Sequence, residues 1–140
     1  VTVRSNAIYG IQMRKLELPE TLTYIDDRGF YASQELEEIY QDSCKVLENK
    51  DFSRYTDINR EFHNEIWTAA GNGKMKNMIS ELWNGLSMGN MVSEEDYAKV
   101  SVKEHGEILE AIKAHDGDAA EAAMKEHIMR SRDDMLTYYN

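Results

Sequence analysis

Hydrophobic residues recur every three or four positions along most of the chain, which is the spacing at which side chains share one face of an α-helix. The clearest stripe comprises Phe52, Tyr55, Ile58, Phe62, Ile66 and Ala69. Polar residues occupy the intervening positions, as expected where one helical face is buried and the other meets water. The pattern predicts an all-α fold.

Turn-forming residues divide the hydrophobic stripes into separate helices. The predicted helices extend over about residues 6–18, 21–25, 33–49, 52–70, 74–88, 93–114 and 118–138. Pro19 ends the first helix, Ser33 is expected to cap the third, and Gly71-Asn72-Gly73 ends the fourth. We therefore expect an antiparallel bundle of six or seven helices, folded as a single domain over residues 1–140.

Charge and composition exclude several classes of function. The net charge is −10, from 26 acidic and 16 basic residues, so the chain lacks the basic surface that nucleic acid requires. It contains neither an apolar run of about 18 residues nor a signal-peptide core, and we expect a cytoplasmic protein. The single cysteine, Cys44, has no partner for an internal disulfide and is expected to serve packing or the surface.

Three of the four histidines lie on predicted inward faces of separate helices, because a helix turns by about 100° per residue. These are His63, His105 and His127, whereas His115 lies in a polar helix end and is expected to be exposed. A buried imidazole needs a polar partner, and a shared metal would satisfy all three at once. The spacing alone leaves open whether they share a metal or are separate core histidines.

Asn59 and Trp83 are the other candidate residues near the histidines. Asn59 lies one helical turn before His63 on the same face, but its amide is a poorer metal ligand than a carboxylate. The alternative role for Asn59 is a hydrogen bond that orients His63 or a bound water. Trp83 is expected to belong to the core or to the wall of a ligand pocket. The motifs of phosphate-binding loops, serine hydrolases, zinc proteases and thiol oxidoreductases are absent.

Three ordered motifs resemble the FCD domain, the C-terminal effector domain of FadR-like GntR transcriptional regulators. The segment Asn59-Arg60-Glu61-Phe62-His63, with Ile66 and Ala69-Ala70-Gly71-Asn72, resembles the family's (D/N)xxFHxxI…A(S/A)GN. Glu104-His105-Gly106-Glu107-Ile108-Leu109-Glu110-Ala111-Ile112 resembles EHxxILxAI. Asp116-Gly117-Asp118-Ala119-Ala120, with Ala123-Met124 and His127-Ile128, resembles xxDxxxAxxxMxxHI. The likeness is strong over residues 50–130 and weak over residues 7–49.

The resemblance implies a helical bundle that forms a homodimer and binds a small effector, often a carboxylate. Many such domains hold a divalent metal with one aspartate and three histidines. Transferred to this chain, the ligands are His63, His105 and His127, with Asn59 at the aspartate position. Zinc or nickel is the expected metal, and water or an effector carboxylate would complete its coordination.

The resemblance also bears on the beginning of the chain. Gln12 occupies the place of an inward-facing arginine in the family's first helix, and Arg14 is close to it; both are candidate ligand-binding residues, the alternative being exposed helix positions. Because we find no winged helix-turn-helix in this chain, DNA binding is expected only through a domain missing from it. The competing hypotheses are a small three-histidine metalloenzyme of the DinB type and a structural bundle without a ligand.

Overall fold

The computed structural model describes residues 25–84 and 94–139. These residues form α1 (Ile25–Asn49), a short 3₁₀ turn (Phe52–Arg54), α2 (Tyr55–Ala69), α3 (Gly73–Asn84), α4 (Glu94–Lys113) and α5 (Gly117–Tyr139). The described ranges contain five α-helices and no strand, so the prediction of an all-α fold is confirmed. The helix predicted over residues 6–18 lies outside the described residues.

The start of α1 differs from the sequence prediction. We expected a break near Arg28-Gly29 and a new helix capped by Ser33, but one helix runs from Ile25 through both positions. An interior glycine costs a helix about 1 kcal/mol relative to alanine and does not end it unless the following residues also favour a turn. The predicted cap at Ser33 is therefore wrong, and Ser33 lies inside α1.

Two helices end in the same type of C-terminal turn. Lys50 follows α1 and His115 follows α4, each with φ of 54°, in the left-handed region. After α1, the amide of Asp51 donates to the carbonyl of Val46 at 3.1 Å, and after α4, Asp116 donates to Ala111 at 3.0 Å. A backbone amide that donates to the carbonyl five positions earlier is characteristic of a Schellman turn. His115 is exposed there, as predicted.

The core lies where α1 meets α2 and α4, while α3 packs on α2 and α5 packs on α4. One buried cluster comprises Val46, Tyr55, Ile58, Ala98 and Val102. A second comprises Leu36, Phe62, Ile108 and Leu109. Cys44 is a half-buried free thiol that packs against the first cluster. None of the described helices combines the length and apolar character needed to cross a membrane.

Candidate metal centre

Three helices bring three histidines together inside the bundle. His63 of α2, His105 of α4 and His127 of α5 are each no more than 1% exposed. Their ring centroids are 4.8–5.1 Å apart, and one nitrogen from each ring lies within 4.8 Å of the others. The Nε2 atoms of His63 and His127 are 3.1 Å apart. The convergence expected from the sequence is present, and we call these three residues the histidine cluster.

Within the described ranges, His105 is the member of the cluster without a hydrogen-bond partner. Its ring is stacked on Phe62, with centroids 4.1 Å apart and planes 11° from parallel. Both ring nitrogens are buried, and neither has a hydrogen-bond partner among the described residues. An unsatisfied buried polar group costs roughly 1–3 kcal/mol, so a ligand that binds either nitrogen would remove part of this cost.

His127, by contrast, is held by a network of charged side chains. Its Nδ1 lies 2.7 Å from Oε2 of Glu104. Arg130 donates to both oxygens of Glu104, from Nε at 2.8 Å and from Nη2 at 2.7 Å. Arg130 also donates to Ser101 at 2.9 Å and to Asp134 at 2.6 Å. One nitrogen of His127 is thus fixed by an ion-paired carboxylate, and the other faces the cluster.

The electrostatic environment keeps the cluster uncharged. Burial, reinforced by the neighbouring imidazoles, holds the pKa values of His63 and His105 well below their ordinary value. Burial also lowers the pKa of His127, although Glu104 opposes the shift. Burial alone would raise the pKa of Glu104, but hydrogen bonds from Arg130 and His127 outweigh it, and the net shift is downward. At neutral pH the cluster is therefore three neutral imidazoles, the form that binds metal, beside an ionised carboxylate.

The residues present fit a divalent metal ion. Nitrogens bound to tetrahedral zinc at 2.0–2.1 Å lie roughly 3.3 Å from one another, close to the 3.1 Å between His63 and His127. A metal would also bind one of the two ring nitrogens of His105, neither of which has another partner among the described residues. Three imidazoles leave further coordination positions free for water or a ligand. Imidazole donors of this kind suit zinc and nickel.

Asn59 lies beside the cluster on α2 and is 4% exposed. Its Oδ1 accepts a hydrogen bond from the Tyr55 hydroxyl at 3.5 Å. The alternative expected from the sequence was a hydrogen bond that orients His63 or a bound water. No hydrogen bond joins Asn59 to His63 among the described residues, and the water-mediated role stays a prediction. Asn59 therefore occupies a buried position one turn from His63, and its role as a metal ligand stays a prediction.

A cleft between α2 and α3 lies next to the histidine cluster, and the side chain of Trp83 borders both. The cavity has a volume of about 350 Å³, and its lining comprises Arg60, Glu61, Asn64, Trp67, Ser80 and Trp83. The ring of Trp83 lies 4.6 Å from that of His63 and 5.6 Å from that of Trp67, measured between centroids. The predicted ligand-binding residue Trp83 thus touches both the cleft and the cluster. Gln12 and Arg14, the other two, lie outside the described residues.

Sequence reasoning missed Glu104 and Arg130 as residues of this site. Two signals pointed to them. Glu104 directly precedes His105 in the second motif, and Arg130 follows His127 by three positions on the same face of α5. A charged residue near a buried stripe usually has a partner, but the identity of that partner depends on how α4 packs against α5. Only the structure supplies that register.

Comparison with known proteins identifies the family. The sequence-family model of the FCD domain matches residues 32–130, a range that contains all three histidines of the cluster. No curated protein and no solved structure shows significant similarity to the chain. The match covers well over half of the 140 residues. The chain therefore belongs to the FCD domain family, the C-terminal effector-binding domains of GntR-family transcriptional regulators.

Proposed function

We propose that this domain senses a small carboxylate effector through a divalent metal, zinc or nickel, held by His63, His105 and His127. The observation that carries the proposal is His105, whose two buried ring nitrogens have no hydrogen-bond partner among the described residues. Family membership supports the effector-binding role, and the arrangement of the donors supports the metal.

The charge of the site favours an anionic effector. All three imidazoles are neutral at pH 7, and Asn59 contributes no charge where a carboxylate ligand would. A bound divalent ion would therefore keep most of its positive charge in a buried, low-dielectric environment. An effector carboxylate would compensate that charge and complete the coordination sphere together with Asn59.

The cleft between α2 and α3 is the proposed location for the rest of the effector. Trp83 lies between the cleft and His63, so an effector in the cleft would lie against an aromatic surface. Pockets of about 300–1,000 Å³ accommodate small organic ligands, and this cleft falls in that range. Gln12 and Arg14 are proposed to bind the effector's polar end, on the family resemblance alone.

The proposed output is a change in DNA binding by a winged helix-turn-helix domain in the full regulator, acting in the cytoplasm. Binding at the cluster ties α2, α4 and α5 to one centre and so favours one arrangement of these helices. In a homodimer, such a change would alter the spacing of two attached DNA-reading domains, which couples effector to operator.

We do not propose catalysis. A hydrolytic metalloenzyme needs a general base near the metal-bound water. Glu104 contacts the cluster, but its oxygens are already bound by Arg130 and His127. No described feature favours the DinB-type enzyme over the sensor.

Isothermal titration calorimetry of the metal-free domain with zinc and nickel salts, and then with lactate and succinate, tests the proposal. We expect one metal per chain, and carboxylate binding only after the metal is loaded. The His105→Ala/His127→Ala double variant should lose metal binding. His115→Asn is the matched control, because it removes the exposed histidine and asparagine tolerates its left-handed backbone. Unchanged metal binding in the double variant would refute the site.

A further inference from the structure

We propose that Glu104 is a positioning residue that fixes the tautomer and orientation of His127, and that Arg130 holds Glu104 in place for this role. The inference rests on the proposed function in one respect only, that His127 is a metal ligand. The state of His127 in the metal-free domain follows from the contacts themselves.

The position of the proton follows from the chemistry of the pair. An ionised carboxylate only accepts hydrogen bonds, so the 2.7 Å contact between Glu104 Oε2 and His127 Nδ1 places a hydrogen on Nδ1. A neutral imidazole carries one such hydrogen, so Nε2 of His127 is left with a free lone pair. That atom lies 3.1 Å from Nε2 of His63 and faces the cluster. Glu104 thus presets His127 to present the nitrogen that a metal would use.

His63 is not preset in the same way. If Nε2 of His127 accepts the hydrogen bond in the 3.1 Å contact, the hydrogen belongs to Nε2 of His63. His63 must then move its proton to Nδ1 before its Nε2 can bind a metal. The two histidines therefore differ in tautomer in the metal-free domain, and the difference originates at Glu104.

Arg130 restricts Glu104 to the orientation that this role needs. Its planar guanidinium binds both carboxylate oxygens, while Nη2 also donates to Ser101 and Nη1 donates to Asp134. Glu104 and Arg130 are about 19% and 23% exposed, so the pair is largely shielded from water. Glu104, Arg130 and Asp134 carry two negative charges and one positive charge, so the group has one net negative charge. It adjoins the neutral imidazoles through the contact between Glu104 and His127. That charge favours a bound cation.

Nitrogen-15 NMR of histidine-labelled, metal-free domain at pH 7.5 tests the inference directly. In the wild type we expect His127 to carry its proton on Nδ1 and His63 to carry its proton on Nε2. In Glu104→Gln, the side-chain amide can donate to Nδ1, so the Nε2-protonated form of His127 should gain population. Zinc affinity, measured by titration, should fall about 10- to 100-fold in that variant.

Glu107→Gln is the matched control, because it makes the same change on α4 at an exposed position, where Glu107 lies 3.6 Å from Lys103. It should leave both tautomer and zinc affinity unchanged. Arg130→Lys keeps the charge but loses the planar fork, and we expect a smaller change in the same direction as Glu104→Gln.

The outcomes separate this inference from the proposed function. A proton on Nε2 of His127 in the wild type overturns the inference, whether or not metal binds. So does a Glu104→Gln variant with unchanged tautomer and unchanged zinc affinity. If the tautomer shifts as expected but the wild type binds no metal, the positioning role stands and the metal site fails. If Glu104→Gln does not fold, the wild-type tautomer and Arg130→Lys decide.

Discussion

At the residue scale, the buried histidines differ in how their nitrogens are satisfied. His127 is bound by Glu104 on one side and faces His63 on the other. His105 is stacked on Phe62, and neither of its nitrogens has a partner in the part of the chain that the structure describes. Helical geometry was enough to predict that these imidazoles face inward, because the position of a residue in a stripe fixes its direction. The hydrogen-bond partner of His127 was not predictable, because Glu104 lies on α4 and His127 on α5, and the sequence does not show how these two helices pack.

Asn59→Asp tests whether position 59 belongs to the metal site. A carboxylate there would add an anionic ligand, and we expect zinc to bind more tightly by at least about tenfold, or 1.4 kcal/mol. The metal-free domain should lose roughly 1–3 kcal/mol of unfolding free energy, because the new charge is buried. Calorimetry and urea denaturation measure the two effects.

The control for that variant is Asn64→Asp, which adds the same charge to α2 at a half-buried position lining the cleft. It should change zinc affinity far less. Equal tightening in both variants would mean that general charge, and not coordination by residue 59, is responsible.

The depressed pKa of His105 predicts an acid-sensitive metal-free domain. Below its ordinary pKa of 6.5, the imidazole takes up a proton in the unfolded chain but stays neutral in the folded one. The free energy of unfolding should therefore fall as the pH decreases below about 6.5, by up to about 1.4 kcal/mol per pH unit for each such histidine. Above that pH the contribution is constant.

Urea denaturation at pH 7.5, 6.5 and 5.5 measures this dependence. His105→Leu removes the titrating group and keeps a buried side chain. The free energy of unfolding of this variant should therefore fall less steeply between pH 6.5 and 5.5 than that of the wild type. Identical slopes for the variant and the wild type would show that His105 is protonated equally in both states.

At the scale of the elements, α1 and α4 approach closely at one glycine. A Cβ built on Gly106 would lie 2.8 Å from the hydroxyl oxygen of Tyr40 and 3.2 Å from its Cζ. The sequence predicted α4 and its inward face correctly, but nothing in the hydrophobic pattern marked Gly106 as a packing position.

Gly106→Ala should destabilise the domain by up to about 2 kcal/mol. Overpacking costs about 1–3 kcal/mol, and the higher helix propensity of alanine returns about 1 kcal/mol. Adding Tyr40→Phe removes the closest atom, so the double variant should be more stable than Gly106→Ala alone. Gly73→Ala is the control, because its Cβ would meet nothing within 4 Å. A gain in stability from Gly106→Ala would contradict the contact.

At the scale of the whole molecule, the site exists because the fold brings side chains of α2, α4 and α5 together at one point. His63 and His127 are 64 positions apart in the chain and yet touch. The sequence predicted the all-α class and most helix ends, because turn residues and hydrophobic stripes are local signals. The three motifs indicated the family and the three histidines that form the cluster. The cleft beside Trp83 and the Glu104–Arg130 pair depend on the register between helices, which no local signal carries.

The most direct measurement of the central claim is X-ray absorption at the zinc edge of the metal-loaded domain, because it counts imidazole ligands around the ion. We expect three histidine nitrogens at about 2.0–2.1 Å, with oxygen completing the shell. In His105→Ala/His127→Ala the multiple-scattering signal of imidazole should fall to one ring or disappear. A wild-type spectrum with one imidazole or none would contradict the claim that the histidine cluster binds the metal.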